Sequence, residues 1–189
     1  MYRKDLRPDI VASFLGEFNA FGPKLTLDQV ASKIHISKKT IYRFFEGKED
    51  IYLYICKIAS KKLQTALEEI EKDEGTTVEK MAKMIRARSC WAKDIDVSYV
   101  RELKEVSPNV YAAFLHLHHI HWESMMVLMN QGKNEGMVKS ALDLRLAIRY
   151  LEAGLDALLD DDILATTGLT YAQAVDSLSD TFLNGMLNR

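Results

Sequence analysis

Five residues between positions 38 and 43 combine positive charge, hydroxyl groups and an aromatic ring within two helical turns. They are Lys38, Lys39, Thr40, Tyr42 and Arg43. Lysine and arginine bind phosphate oxygens and donate to guanine edges in the major groove, while threonine contacts thymine methyl groups or phosphates. This set of side chains therefore predicts contact with nucleic acid rather than catalysis.

The residues on either side predict two short helices joined by a tight turn, with a third helix after them. Thr26 and Gln29 have the spacing of a capping box at the start of the first helix. Ser37 is suited to cap the second helix, and Ile41, Phe44 and Phe45 are expected on its inward side. This arrangement is typical of a helix-turn-helix, in which a supporting helix presents an exposed recognition helix to the major groove.

This stretch resembles the N-terminal domain of TetR-family transcriptional regulators. The matching residues are Thr26, Val30-Ala31, Ile36-Ser37-Lys38, Thr40-Ile41-Tyr42, Phe44-Phe45 and Lys48-Glu49. Chain length and layout agree with the family from end to end, whereas the motifs cover only the N-terminal part. His35 stands where a glycine is usual in the turn, and Lys39 replaces a small residue. His35 must therefore take a backbone conformation that glycine takes freely.

The resemblance implies a DNA-binding regulator, not an enzyme, and usually a repressor that is released by a small-molecule effector. It implies that Tyr42 and Lys48 contact phosphates and position the protein. We expect Lys39 and Arg43 to read guanine edges. Thr26 is either a plain cap or a further phosphate contact. A twofold dimer would place two recognition helices roughly 34–36 Å apart on a palindromic operator.

The sequence predicts an all-α protein, because no segment alternates polar and apolar residues as a strand does. We expect a helix-turn-helix DNA-binding domain at residues 1–47 and a helical effector-binding and dimerisation domain at residues 48–189. Helices are predicted over about 6–21, 48–72, 77–93, 96–105, 108–132, 140–160 with Ser140 as its cap, and 170–187. Thr170 and Gln173 have the spacing of a capping box at the start of the last helix.

The last two predicted helices carry apolar stripes that suit a four-helix bundle. The stripes are Leu144, Ile148, Leu151, Leu155 and Leu158 on one helix, and Ala174, Leu178, Phe182 and Met186 on the other. From the residues alone, these stripes either pair with their copies or cover the core of their own chain. The resemblance implies a homodimer through these two C-terminal helices.

Aromatic and methionine side chains in the middle helices are suited to line an effector pocket. The expected effector-binding residues are Trp91, Tyr99, Phe114, His118, Trp122, Met125 and Met126. For any one of them, a place in the helical core is the simpler explanation. Together they favour a small, mostly apolar effector.

Four histidines lie between His116 and His121. On a continuous helix, pairs three residues apart can chelate a transition metal, with Glu102 or Glu123 as a further ligand. No single helix face holds all four histidines. They could therefore lie instead in an effector pocket, at an interface, on the surface or in the core. We expect no metal and no cofactor. The alternative function is a metal-sensing or interaction protein that uses this cluster.

Charge is divided unequally along the chain. Residues 1–62 carry 12 Lys and Arg against 7 Asp and Glu, whereas residues 63–189 carry 13 against 20. A basic N-terminal region suits contact with phosphates. Tyr2, Arg3 and Lys4 can extend this region as an arm along DNA, although solvated termini are commoner.

The cysteines and the hydropathy pattern favour a cytoplasmic protein. Cys56 and Cys90 have neither a metal-binding nor a redox-motif spacing. The first ten residues lack the apolar core of a signal peptide, and no apolar run approaches a membrane span. We therefore expect reduced cysteines and no membrane partner.

Overall fold

Helices make up nearly all the regular structure in the computed structural model, which describes residues 5–160 and 162–188. The all-α prediction is confirmed; the β-type pairing found in those residues is an isolated antiparallel bridge between Val138 and Leu187. None of the described helices has the length and apolar character that crossing a membrane requires. The α-helices of the described residues are α1 Arg7–Phe21, α2 Leu27–Lys33, α3 Lys38–Ile41, α4 Lys48–Lys72, α5 Thr77–Ala87, α6 Leu103–Val106, α7 Pro108–His116, α8 Trp122–Asn134, α9 Leu144–Asp160, α10 Ile163–Thr167 and α11 Tyr171–Met186.

The described residues group into two compact units. The first unit contains the residues up to Ile58 together with Asp94–Phe114, and the second contains Ala59–Lys93 together with the residues from Leu115 onward. The functional division expected between residues 47 and 48 stays a prediction. The arm expected from Tyr2, Arg3 and Lys4 lies outside the described residues.

The core of the first unit forms where α1 packs against α2. Phe14 and Phe18, four residues apart, are fully buried on one side of α1. The Tyr52 ring meets both rings edge-on, at centroid separations of 4.7 and 5.5 Å. The Ser13 hydroxyl donates to the Val30 carbonyl at 3.0 Å. A buried hydrogen bond therefore joins the two helices in addition to apolar contact.

Capping boxes begin α2 and α11 where the sequence predicts them. The Gln29 N–H donates to the Thr26 hydroxyl at 3.3 Å, and the Thr26 N–H donates to the Gln29 carboxamide oxygen at 2.7 Å. Thr170 and Gln173 form the same box at the start of α11. Each cap satisfies backbone donors that the first helical turn leaves unpaired, which is worth about 1 kcal/mol.

The second unit is organised around α5, which packs against both α8 and α11. Its buried side presents Met81, Met84 and Ile85. Gly132 of α8 lies against Val138, and a Cβ at that glycine would come within 2.7 Å of Val138 Cγ2. The glycine therefore permits a contact that a larger residue would force apart.

The single long helix predicted over residues 108–132 is wrong. α7 ends at His116 and α8 starts at Trp122. Between them His121 adopts the left-handed conformation, with φ 59° and ψ 38°. The cause is distant in sequence, because the Arg88 guanidinium binds carbonyl oxygens that the break releases. Hydrophobic periodicity carries no information about such a contact.

The helices predicted over 77–93 and 96–105 are also shorter than expected. α5 ends at Ala87, and 3₁₀ turns cover Cys90–Asp94 and Val97–Tyr99 before the four-residue helix α6. Trp91 and Val97 are buried within these turns. Tighter winding of this kind is common near helix ends.

The expected cap at Ser140 is wrong as well. α9 starts at Leu144, and the Asp143 carboxylate accepts a hydrogen bond from the Leu146 N–H at 2.9 Å. The carboxylate also lies at the positive end of the helix dipole, which favours it over a hydroxyl further upstream. The short helix α10 had no counterpart in the sequence prediction.

Candidate nucleic-acid interface and effector region

The recognition segment begins with α3 and continues through a turn at residues 42–44. Ser37 caps it, since its hydroxyl accepts from the Thr40 N–H at 3.1 Å. Ile41 and Phe45 are buried, as predicted, whereas Phe44, also predicted to face inward, is half-buried. In contrast, 52% of Tyr42 is exposed. Burial of the two apolar residues therefore fixes which side of the segment faces solvent.

The turn between α2 and α3 contains the unusual conformation that the sequence suggests. His35 has a φ of 55°, in the left-handed region. The Ile36 N–H donates to the Ala31 carbonyl at 3.0 Å, which closes the end of α2. Histidine thus occupies a position at which glycine carries no steric penalty.

The basic residues of the recognition segment differ in whether they have bonding partners within the protein. Lys38 forms an ion pair with Asp28 at 2.8 Å, and this hydrogen bond raises the pKa of Lys38. Lys39 and Arg43 are exposed. Within the described residues, neither of these two makes a hydrogen bond or an ion pair. They are therefore available to base edges, whereas Lys38 is held against the supporting helix.

Lys48, at the start of α4, has partners within the first unit. Its ammonium group donates to the Pro23 carbonyl at 3.0 Å and to the Leu25 carbonyl at 3.1 Å. It ties the α1–α2 connection to α4. Thr26 is likewise engaged, because its hydroxyl also donates to the Gln29 carboxamide oxygen at 2.8 Å.

A groove of about 800 Å³ lies between α8 and the first half of α9. This volume is within the usual range of small-molecule sites. Apolar side chains and charged side chains of both signs form its walls: Trp122, Met126, Leu146 and Ile148, with Glu123, Asp143, Arg145, Arg149 and Glu152.

A polar cluster centred on the buried His118 lies beside this groove. His118 is fully buried; its Nδ1 lies 3.0 Å from an Asp156 carboxylate oxygen and its Nε2 lies 2.5 Å from the Tyr171 hydroxyl oxygen. His119 Nε2 lies 3.2 Å from the other Asp156 oxygen. Because a carboxylate only accepts, a neutral His118 donates from Nδ1 and accepts the Tyr171 hydroxyl at Nε2.

Burial and hydrogen bonding act in opposite directions in this cluster. Burial lowers the pKa of His118, although the hydrogen bond to Asp156 works against it. Burial alone would raise the pKa of Asp156, but the two histidines hold that pKa below its ordinary value. Burial also raises the pKa of Tyr171. At neutral pH the cluster therefore consists of an ionised Asp156 that binds a neutral His118.

Comparison with known proteins identifies the fold of the first unit. The family model described as bacterial regulatory proteins, tetR family, matches residues 15–55, which span the capped helices and the recognition segment. The DNA-binding region of this chain is that of a TetR-family transcriptional regulator. Regulators of this family are DNA-binding transcription factors, not enzymes.

Several known proteins match this chain over nearly its full length. The fatty acid metabolism regulator protein of Bacillus subtilis (strain 168) is 22% identical over 173 residues, which is 86% of each protein. Two solved structures share the fold. FadR from Bacillus halodurans has a TM-score of 0.69 at 16% identity and 98% coverage of both chains. FadR from Bacillus subtilis in complex with stearoyl-CoA has a TM-score of 0.63 at 19% identity, with 94% of this chain and 98% of that one covered.

The effector residues expected from the sequence are divided between the two units. Tyr99 and Phe114 belong to the first unit, while the other five belong to the second. Met125 is fully buried in the core, and of the seven residues Trp122 and Met126 line the groove. The assignment of these residues to an effector stays a prediction.

The histidine cluster loses the helical spacing on which its metal-binding alternative depended. His118 and His119 lie on a 3₁₀ turn and bind Asp156, while His116 is exposed. Among the described residues, no group of three or more His, Cys, Asp and Glu side chains is arranged to hold a metal ion.

Sequence reasoning missed the buried Arg88, the C-cap residue of α5. Its Nη2 donates to the Ile120 carbonyl at 2.8 Å, and its Nε donates to the His118 carbonyl at 3.3 Å. A signal was present, because Met81, Met84, Ile85 and Arg88 follow the spacing of one apolar helix face. A cation in that register indicates a buried polar function.

Proposed function

We propose that this regulator binds a palindromic operator as a homodimer and represses transcription until a fatty acyl effector releases it. The observation that carries the DNA-binding part is the exposure of Lys39, Tyr42 and Arg43 on a capped segment with a buried apolar side. These three side chains can enter a major groove without breaking a side-chain hydrogen bond or ion pair within the described residues.

The residues of the segment have separate tasks on DNA. Lys39 and Arg43 donate to guanine edges and specify the sequence, and Thr40 contacts a thymine methyl group or a phosphate. Tyr42 binds a phosphate and positions the segment. Lys38, Thr26 and Lys48 bind phosphates only by sharing or exchanging their internal partners.

Dimerisation uses α9 and α11. Three of the leucines expected at the interface lie in the core of their own chain instead, since Leu144, Leu151 and Leu155 are buried. A second stripe on α9 is exposed instead and consists of Leu146, Tyr150, Ala153 and Ala157. Leu146 is 56% and Tyr150 70% exposed. A wholly apolar exposed stripe at helical spacing suits a second copy of the chain in a four-helix bundle.

The effector class rests on the relatives. The Bacillus subtilis relative regulates fatty acid metabolism, and the solved FadR from that organism holds stearoyl-CoA. A fatty acid or its coenzyme A thioester also agrees with the mostly apolar effector that the sequence predicts. The second unit offers a groove of suitable volume.

Binding to the DNA upstream of the protein's own gene tests this proposal directly. We expect tight binding with a steep salt dependence, as phosphate contacts require. Tyr42→Ala should weaken it, while Lys72→Ala, which removes an exposed cation from the opposite end of α4, should not. Decanoyl-coenzyme A should release the DNA. Equal binding to unrelated duplexes would contradict a sequence-reading role.

Sedimentation equilibrium tests the dimer. Tyr150→Glu places a charge in the exposed stripe and should give a monomer. Val127→Glu is the matched control, because Val127 is 66% exposed but lies on α8. A dimer that survives Tyr150→Glu and dissociates with Val127→Glu would move the interface to α8.

A further inference from the structure

A continuous series of polar contacts runs from the groove towards α11. Arg149 Nη1 donates to Glu152 Oε2 at 2.8 Å. The other Glu152 oxygen lies 3.6 Å from His119 Nδ1, and His119 binds Asp156. Asp156 binds His118, whose partner Tyr171 is the first residue of α11. We call this series the polar chain; its members are Arg149, Glu152, His119, Asp156, His118 and Tyr171.

The groove end of the polar chain has the chemistry of a site for an amphipathic anion. Trp122 and Met126 form an apolar wall on α8, and Arg145 and Arg149 stand opposite on α9. Within the described residues Arg145 makes no hydrogen bond or ion pair. Of the three groove carboxylates, Asp143 already caps α9 and Glu152 already binds Arg149, which leaves Glu123 on the α8 side.

We propose that the groove binds the fatty acyl effector, with its alkyl chain on Trp122 and Met126 and its anionic group on Arg145 and Arg149. This inference rests on the proposed function and adds its site and its route of action. The shared chemistry is an anion next to an alkyl chain, supplied by the carboxylate of a fatty acid or by the phosphates of a coenzyme A thioester.

Occupancy of the groove acts on the polar chain through Glu152. An anion on Arg149 competes with Glu152 for the guanidinium. Glu152 is 7% exposed, so it cannot exchange Arg149 for bulk water and shifts instead towards His119, whose Nδ1 lies 3.6 Å from its other oxygen. The shift of Glu152 moves the histidines and Asp156, and with them the Tyr171 end of α11, a helix of the proposed dimer interface.

The two tryptophans of the protein report the two ends of the polar chain separately. Trp122 lines the groove, whereas the Trp91 ring lies 5.3 Å from the Tyr171 ring. Fluorescence of Trp91→Phe therefore follows the groove, and fluorescence of Trp122→Phe follows the start of α11. We would titrate both variants with decanoyl-coenzyme A, decanoate, decanol and coenzyme A alone.

We expect decanoate or decanoyl-coenzyme A to change the emission of Trp122 and of Trp91, and decanol to bind at least tenfold more weakly. Response to decanoate assigns the anion to a carboxylate, while a response to the thioester alone assigns it to the phosphates. Arg149→Gln should weaken binding roughly tenfold, as loss of one charge-assisted hydrogen bond predicts. Lys61→Gln, an exposed cation of α4 outside the groove, is the matched control.

Glu152→Gln separates binding from transmission. It should bind the anion at least as tightly as the native protein and lose the response of Trp91. Equal affinities for decanol and the anions, or native binding by Arg145→Gln and Arg149→Gln, would overturn the groove assignment. If decanoyl-coenzyme A still released DNA from those variants, the proposed function would stand with its effector elsewhere. If none of the compounds bound while operator binding was intact, the groove and the effector class would both be wrong.

Discussion

The guanidinium of Arg88 lies over the indole ring of Trp122, with Cζ 3.9 Å from the ring centroid. Arg88 is fully buried and bonds to the carbonyls of Met84, His118 and Ile120. Among the described residues no carboxylate lies within ion-pair distance of it. Burial lowers the pKa of Arg88 to about 10, so the group stays charged at neutral pH. A cation held by carbonyl dipoles and a ring face therefore stabilises the break between α7 and α8.

Arg88→Met should lower the free energy of unfolding by about 3 kcal/mol, because it leaves several buried carbonyl groups without a donor. Arg86→Met is the matched control. Arg86 is exposed and pairs with Asp176 and Asp180, so its loss should lower the free energy by less than about 1 kcal/mol. Urea unfolding measures both. Equal effects would mean that Arg88 contributes no more than a surface ion pair.

Local sequence rules predicted the elements that local interactions decide. The box of Thr26 and Gln29, the box of Thr170 and Gln173, and the full extent of α4 appear as predicted. In each case the capping side chains or the helical pattern lie within the element itself. The recognition segment was predictable for the same reason.

Contacts between residues that are distant in sequence determine the features that the sequence did not predict. His118 and Tyr171 are 53 positions apart, and Arg88 and Ile120 are 32 apart. No pattern within a helix reports such pairs, so the helix predicted over 108–132 ran through the break. The groove, too, depends on how α9 packs against α8, and of its nine lining residues the sequence indicated Trp122 and Met126.

His35→Gly should raise the free energy of unfolding by about 0.5–1 kcal/mol. Left-handed backbone costs an ordinary L-residue roughly 1–2 kcal/mol, and part of the gain is offset by the greater entropy of glycine in the unfolded chain. His35→Ala keeps the penalty and should give no gain. Thermal or urea unfolding of the three proteins decides the point; stabilisation by alanine as well would indicate that the histidine side chain, not its backbone, is unfavourable.

Lys48→Ala and Tyr42→Ala should both weaken binding to all duplexes alike, by about 1–2 kcal/mol each. Their effects on stability should differ. Lys48→Ala also removes the donor of the Pro23 and Leu25 carbonyls and should lower the free energy of unfolding by about 1 kcal/mol, whereas Tyr42 is exposed. Anisotropy with operator and unrelated DNA at several salt concentrations, beside urea unfolding, measures both. A loss confined to one base pair would contradict the positioning role.

Acid should destabilise the second unit through His118 before it acts on Asp156. The pKa of His118 is lowered in the folded protein. As pH falls below about 6.5, the unfolded chain therefore binds a proton at this histidine that the folded chain does not bind. Stability is therefore complete above that pH and declines towards the lowered folded pKa, by at most about 1.4 kcal/mol per pH unit. Asp156 has its folded pKa below 3.8, and its contribution is lost only as pH falls through that lower range.

Urea unfolding between pH 7.5 and about 5 should show this slope in the native protein and lose it in His118→Gln, whatever stability the substitution itself removes. His116→Gln replaces an exposed histidine two residues away and should keep the slope. A slope that survives in His118→Gln would assign the proton uptake to another group.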